Sequence, residues 1–210
     1  MCTPCLPGRF CDQPGLIEPN GVCSAGYYCP VGSSSATPLN FSCLEGGYCP
    51  EGVAYPIACP PGTYNPAISS KRLLDCLSCP PGMYCDGERN EQPDGYCKAG
   101  FFCTEGSSTP VPFESSSGDI CPMGHFCPEG SHVPLPCAPG SFAARVGQEQ
   151  CTPCPAGYVC AGYQQVSPRS CPVAHYCTAN SSTPVPCPAG SYSNRTELTS
   201  ESECSLCPPG

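Results

Sequence analysis

Tryptophan is absent from this 210-residue chain, and charged residues make up only 12% of it. Net charge is −9 and no basic run occurs, which argues against nucleic acid as a partner, since the expected footprint there is a basic stripe. The acidic residues are scattered, so their simplest role is solubility. No stretch approaches the roughly 18 apolar residues of a membrane helix, so membrane insertion by this segment is not expected. An apolar run of the kind that forms a signal peptide is also missing, because Met1 is followed at once by Cys2-Thr3-Pro4-Cys5. A secreted chain needs an export signal, so the expectation is a segment of a longer precursor. Ordinary core formers are scarce as well. Once the cysteines are removed from the hydrophobic 40%, about 60 residues remain, too few for one large core.

Cysteine, proline and glycine fill the gap, at 24, 30 and 23 residues. This cysteine content exceeds the roughly 8–10% that marks a disulfide scaffold, and such bonds persist only in an oxidising compartment. Cross-links must therefore do what burial cannot. The expected location is extracellular or on the cell surface.

Internal repetition governs the chain. The motif is Cys-x-x-Gly-x-aromatic, usually closed by a second cysteine, as in Cys5-Leu-Pro-Gly-Arg-Phe-Cys11, Cys23-Ser-Ala-Gly-Tyr-Tyr-Cys29 and Cys43-Leu-Glu-Gly-Gly-Tyr-Cys49. It recurs from Cys59, Cys79, Cys97, Cys121, Cys137, Cys154, Cys171 and Cys187, and a truncated copy opens at Cys207. Successive first cysteines stand 16 to 24 residues apart. Asn65, Ala143 and Ser193 replace the second cysteine in three copies, Val159 replaces the aromatic in one, and Ala174 replaces the glycine in another. Cys-x-x-Cys pairs at Cys2/Cys5, Cys76/Cys79, Cys151/Cys154 and Cys204/Cys207 impose a longer period. They divide the chain into blocks 2–75, 76–150, a shortened 151–203, and the start of a further block at 204–210. Arrays that gain or lose units in this way are quasi-one-dimensional, each repeat touching mainly its neighbours.

Glycine at the fourth motif position permits positive φ or a close chain approach, and a preceding proline suits a tight turn. The aromatic can supply what little apolar packing a repeat has. Pro-Ser-Thr segments such as Ser181-Ser-Thr-Pro-Val-Pro186 should be extended, and no apolar period of 3.6 survives between the prolines. The expected fold is a small disulfide-rich, elongated tandem array, mostly loop, with tiny β-hairpins and almost no helix.

The segment Cys59-Pro-Pro-Gly-Thr-Tyr…Asp75-Cys76-Leu-Ser-Cys79 resembles the ephrin-receptor-like cysteine-rich repeat, and more distantly the cysteine-rich modules of tumour-necrosis-factor receptors. The pattern returns at Cys137…Cys151-Thr-Pro-Cys154 and at Cys187…Cys204-Ser-Leu-Cys207. The resemblance implies disulfides Cys59–Cys76, Cys137–Cys151 and Cys187–Cys204. It also implies an extracellular spacer in large surface proteins, including ciliary and flagellar ones, or a receptor ectodomain. For the double-cysteine copies two schemes stand open. Pairing within each motif, such as Cys79–Cys85, survives the loss of one repeat and leaves Cys2 and Cys207 without partners. The rival is a ladder from each second cysteine to the next first one, such as Cys85–Cys97 and Cys160–Cys171, and it forces Cys49–Cys59.

Catalytic, cofactor and metal sites are not expected. The Cys-x-x-Cys pairs lie more than 50 residues apart, which disfavours a Cys₄ zinc site. His125, His132 and His175 have no recurrent partner. Asp86, Glu88, Glu91 and Asp94 cluster without a calcium-loop spacing. Asn40-Phe-Ser42, Asn180-Ser-Ser182 and Asn194-Arg-Thr196 match the N-glycosylation acceptor, so glycans are expected there. The partners expected are other protein chains or copies of this one in a surface assembly. Thr104 to Ile120, with Phe113 inside it, is the most divergent inter-motif loop, and it is the place to look for a local contact.

Overall fold

In a computed structural model, residues 4–208 are described. They form two compact units. One comprises the chain up to Tyr96 together with Cys103–Pro112, and the other Cys97–Phe102 together with the chain from Phe113. Both are built the same way. Among the described residues there is no α-helix, and the 20 strands, two or three residues long, pair as ten two-stranded sheets. Two single 3₁₀ turns, Leu73–Asp75 and Glu201–Glu203, complete the regular structure. The chain is a small disulfide-rich tandem array.

Each motif begins as a turn. In the first, the Arg9 N–H donates to the Leu6 carbonyl (3.1 Å), with Pro7 and Gly8 between them and Gly8 at φ +78°. Proline at the second turn position and a left-handed glycine at the third are what a type II turn requires. The same bond recurs at Thr63/Pro60, Met83/Pro80 and Ser191/Pro188. The turn delivers the next two residues into a strand, which pairs with the two residues preceding the following motif. In the first hairpin Arg9–Phe10 faces Gly21–Val22. The aromatic lies across this hairpin. A Cβ added at Gly21 would meet the Phe10 ring at 3.2 Å, and one at Gly95 would meet the Tyr84 ring at 3.4 Å. Tyr28 packs against Phe41 in a tilted arrangement, with ring centroids 5.3 Å apart and planes at 60°. Most motif rings are half-buried in this way, and Tyr192 is exposed.

Within each unit, up to four backbone hydrogen bonds join a motif to the next. The N–H at the glycine position donates to the carbonyl at the next motif's second-cysteine position, as in Gly26→Cys49 and Gly46→Asn65 (2.8 and 2.7 Å). The next first cysteine donates back to the glycine carbonyl, as in Cys43→Gly26 (2.9 Å). A residue in the turn after each second-cysteine position donates to the preceding first cysteine, as in Gly52→Cys23 and Glu197→Cys171. The carbonyl that follows this residue accepts from the preceding second-cysteine position, as in Cys49→Ser70 and Cys177→Leu198. These bonds satisfy main-chain groups that loops would otherwise leave buried and unpaired.

The donor in that later turn is itself left-handed. Glycine fills it at Gly32, Gly52, Gly106, Gly130 and Gly147, but Ser69, Arg89, Gln164, Asn180 and Glu197 stand there at φ +58° to +66°. Its carbonyl presses on the motif glycine two repeats earlier. A Cβ on Gly26 would lie 2.7 Å from the Ser69 carbonyl oxygen, one on Gly124 2.5 Å from that of Gln164, and one on Gly157 2.7 Å from that of Glu197. At these positions a repeat touches its second neighbour as well as its first. Ala174 holds φ +61° in place of glycine with its side chain exposed.

The core is sulfur. Among the described residues, seventeen of the twenty buried side chains of the hydrophobic class are cysteines, the others being Ala143, Val159 and Leu198. Burial on this scale cannot offset chain entropy, so covalent closure must.

Candidate functional site

Covalent bonds are the chemistry that the repeats bring together. Among the described residues twenty-two cysteines are disulfide-bonded. Within double-cysteine motifs the pairs include Cys5–Cys11, Cys23–Cys29, Cys43–Cys49, Cys79–Cys85, Cys121–Cys127, Cys154–Cys160 and Cys171–Cys177. Their Cα atoms are 5.8–6.0 Å apart, within the usual range for a disulfide. The five-residue interval fits because the type II turn folds the chain back before the second cysteine. In the single-cysteine motifs the bonds are Cys59–Cys76, Cys137–Cys151 and Cys187–Cys204. Cys207 is unpaired and exposed, and Cys2 lies outside the described residues.

The three motifs without a second cysteine keep the backbone ladder. Asn65, 1% exposed, fills the sulfur's place with polar contacts: its Nδ2 donates to the Gly47 carbonyl (2.9 Å) and its Oδ1 accepts from the Ala67 N–H (3.0 Å). Ala143 is fully buried, and the Ser193 hydroxyl donates to the Arg195 carbonyl (3.3 Å). Two of the long loops span 17 residues and carry a 3₁₀ turn; the third spans 14 and has none. In the loops that have it, an acid just before the cysteine holds the turn. The Asp75 carboxylate accepts from the N–H groups of Lys71 (2.7 Å) and Arg72 (3.1 Å) and from Arg72 Nε (3.3 Å). These bonds, the one from Lys71 foremost, hold its pKa below the usual aspartate value. Glu203 accepts from the Thr199 hydroxyl and N–H, which lower its pKa in the same way. In the short loop Gln148 takes over, with Oε1 accepting from the Arg145 N–H (3.1 Å) and Nε2 donating to the Gln150 carbonyl (3.2 Å).

The Cys76/Cys79 and Cys151/Cys154 pairs each divide between two disulfides. Cys76 bonds to Cys59 and Cys79 to Cys85, while Leu77–Ser78 between them forms the second strand of a hairpin. Thr152–Pro153 has the same position between Cys151 and Cys154. The spacing is thus set by a two-residue strand. Among the described residues no three His, Cys, Asp or Glu side chains gather as metal ligands. In the acidic loop Asp94 instead accepts from the Asp86 N–H (2.6 Å). His125 and His175 bring Nδ1 to the carbonyls two residues before them, and His132 is exposed.

Asn40, Asn180 and Asn194 are all exposed, in separate turns and bends. Asn180 is also one of the left-handed residues, its N–H donating to the Cys154 carbonyl (2.8 Å). Phe113 is 66% exposed, beside a fully buried Pro112. The left-handed residue after the second-cysteine position escaped the sequence reading. Its signal was present as the glycines three or four residues after that position at Gly15, Gly32, Gly52, Gly106, Gly130 and Gly147, obscured by the side chains in the remaining copies.

No family model matches the chain, and no curated protein matches it significantly. The disulfides fit an extracellular or secreted protein, and among the described residues no helix is long and apolar enough to cross a membrane.

Proposed function

We propose that the chain is an extracellular structural spacer or fibre component, assembling on a cell surface through contacts with other protein chains or with copies of itself. A ciliary or flagellar surface is the setting that the ephrin-receptor-like resemblance favours, and N-glycans at Asn40, Asn180 and Asn194 suit such a surface. The observation that carries the reading is the backbone ladder: the same hydrogen bonds, up to four at a junction and repeated with little regard to side chain, form an interface that lengthens simply by adding copies. A role of this kind depends on the repeated interface more than on any one repeat or residue. Deleting residues 23–42, one whole repeat, should leave secretion and surface assembly intact in the cell that makes the protein. Loss of assembly, with the shortened chain still folded and secreted, would reject the spacer role. A receptor or adhesion ectodomain is the second reading, favoured by the exposed Phe113 in the most divergent loop. It gains ground if Phe113→Ser abolishes attachment to a partner while surface assembly persists.

A further inference from the structure

The disulfides differ in how they meet solvent. In seven double-cysteine motifs, those of Cys23, Cys43, Cys79, Cys97, Cys121, Cys154 and Cys171, both cysteines have no exposed surface. The three long-loop bonds differ, since Cys76, Cys151 and Cys204 are each partly exposed. Their inner partners Cys59 and Cys137 are fully buried, and Cys187 is partly exposed. Cys11 is partly exposed as well, and Cys5–Cys11 falls with this second group.

We propose that Cys76, Cys151 and Cys204 are thiol-exchange sites, each accepting a small aliphatic thiol as a mixed disulfide. The incoming thiolate attacks Sγ of Cys76, the Cys76–Cys59 bond breaks, and a new sulfur–sulfur bond joins Cys76 to the thiol. The electron pair leaves on Cys59 Sγ, which takes a proton from water. One disulfide replaces another, so the step needs no oxidant. A second thiolate can then attack the added sulfur, releasing Cys76 as a thiol and the small molecule as its own disulfide. Access decides which bonds react, because exchange requires the attacking sulfur to reach the bond. Recapture decides which stay open. A pair six residues apart, folded back by its turn, is returned to contact more readily than one separated by 14 or 17 residues of surface loop.

Opening such a bond leaves the ladder standing. Gly46→Asn65, Cys59→Gly46 and Asn65→Asn90 are main-chain bonds that do not pass through Cys76. What is released is the loop before Cys76 with its 3₁₀ turn. The array thereby acquires covalently addressable clasps at block spacing, at Cys76, Cys151 and Cys204, without unfolding. This goes beyond the spacer reading and does not rest on it.

The test treats the intact, folded chain with excess glutathione, quenches with N-ethylmaleimide at intervals, and maps peptides without reduction. Glutathione on Cys76, Cys151 and Cys204 should appear at least tenfold faster than on any cysteine of the seven doubly buried motifs. Hydrogen exchange on the modified protein should show the Cys59, Cys79 and Asn65 amides still protected. Equal rates across both groups, or loss of ladder protection on modification, would overturn the proposal.

Discussion

Gly26 offers the sharpest test of second-neighbour packing, because Gly32, in the same unit, supplies a matched control. Both are left-handed, at φ +92° and +84°. A Cβ at Gly32 meets nothing within 4 Å, whereas one at Gly26 lies 2.7 Å from the Ser69 carbonyl oxygen, two repeats on. Gly32→Ala should therefore cost only the left-handed conformation, about 1–2 kcal/mol. Gly26→Ala incurs the same conformational cost and must also move the Ser69 carbonyl by about 0.7 Å to restore ordinary contact. That carbonyl lies between two ladder bonds, Ser69→Cys43 (2.7 Å) and Cys49→Ser70 (2.9 Å). Weakening both adds about 1–3 kcal/mol, for a total of about 2–5 kcal/mol. Denaturant unfolding with disulfides intact measures the difference, and hydrogen exchange locates it. The Ser69 and Cys49 amides should lose protection in Gly26→Ala and keep it in Gly32→Ala. Equal destabilisation by the two substitutions, or exchange confined to residues 23–43, would refute the contact as an energetic one.

Three further outcomes follow from local geometry. Asn65→Ala removes a buried amide from the Gly47 carbonyl and should lower stability by about 1–3 kcal/mol, read as a reduced denaturant midpoint; an unchanged midpoint would mean that the polar substitute for sulfur contributes nothing. Asp75 and Glu203 have folded-state pKa values lowered from 3.8 and 4.5, so their stabilisation is fully present above those values and is lost as pH falls through the lower folded ones. Acidification should accordingly speed exchange at the Lys71, Arg72 and Thr199 amides beyond the intrinsic pH effect, and Asp75→Asn should remove this at Lys71 and Arg72; identical pH profiles in the variant would contradict it. Gln148→Ala should raise exchange at the Arg145 amide while the Cys137–Cys151 bond still forms, since that loop closes without a 3₁₀ turn.

Much of the architecture was legible because it is written in residue types with narrow uses. Glycine at the fourth motif position signals positive φ or close approach, and Gly26 has both. Proline before it signals the type II turn realised at Pro7-Gly8. Hairpins of two or three residues were as much strand as the prolines allow. The backbone ladder was not legible, because main-chain donors and acceptors are the same in every residue. Asn65, Ala143 and Ser193 show this directly: three unrelated side chains occupy one position, and each carbonyl accepts the same bond. The second left-handed turn was hidden for a related reason. Ser69, Arg89, Gln164 and Glu197 tolerate a conformation that the ladder imposes, each donating its N–H to the preceding first cysteine, so their side chains carry no trace of it.

The loop disulfides follow from what the ladder leaves undone. A double-cysteine motif closes a seven-residue loop, worth about 2.4 kcal/mol in the chain-entropy model, while the long loops are worth about 3 kcal/mol each. Where Asn65, Ala143 or Ser193 removes the short bond, the first cysteine must reach forward, and the nearest available position lies just before the next two-residue strand. That position is the first cysteine of a Cys-x-x-Cys pair, so the long period of the sequence is the consequence of a missing short bond. The loop between may vary by three residues, the length of one 3₁₀ turn, because both versions return to the same hairpin register: Tyr64 faces Leu77 as Phe142 faces Thr152. The bond that compensates for the lost one reaches further over the surface, which leaves its outer sulfur-bearing residue partly exposed and makes it the place where external chemistry can enter the array.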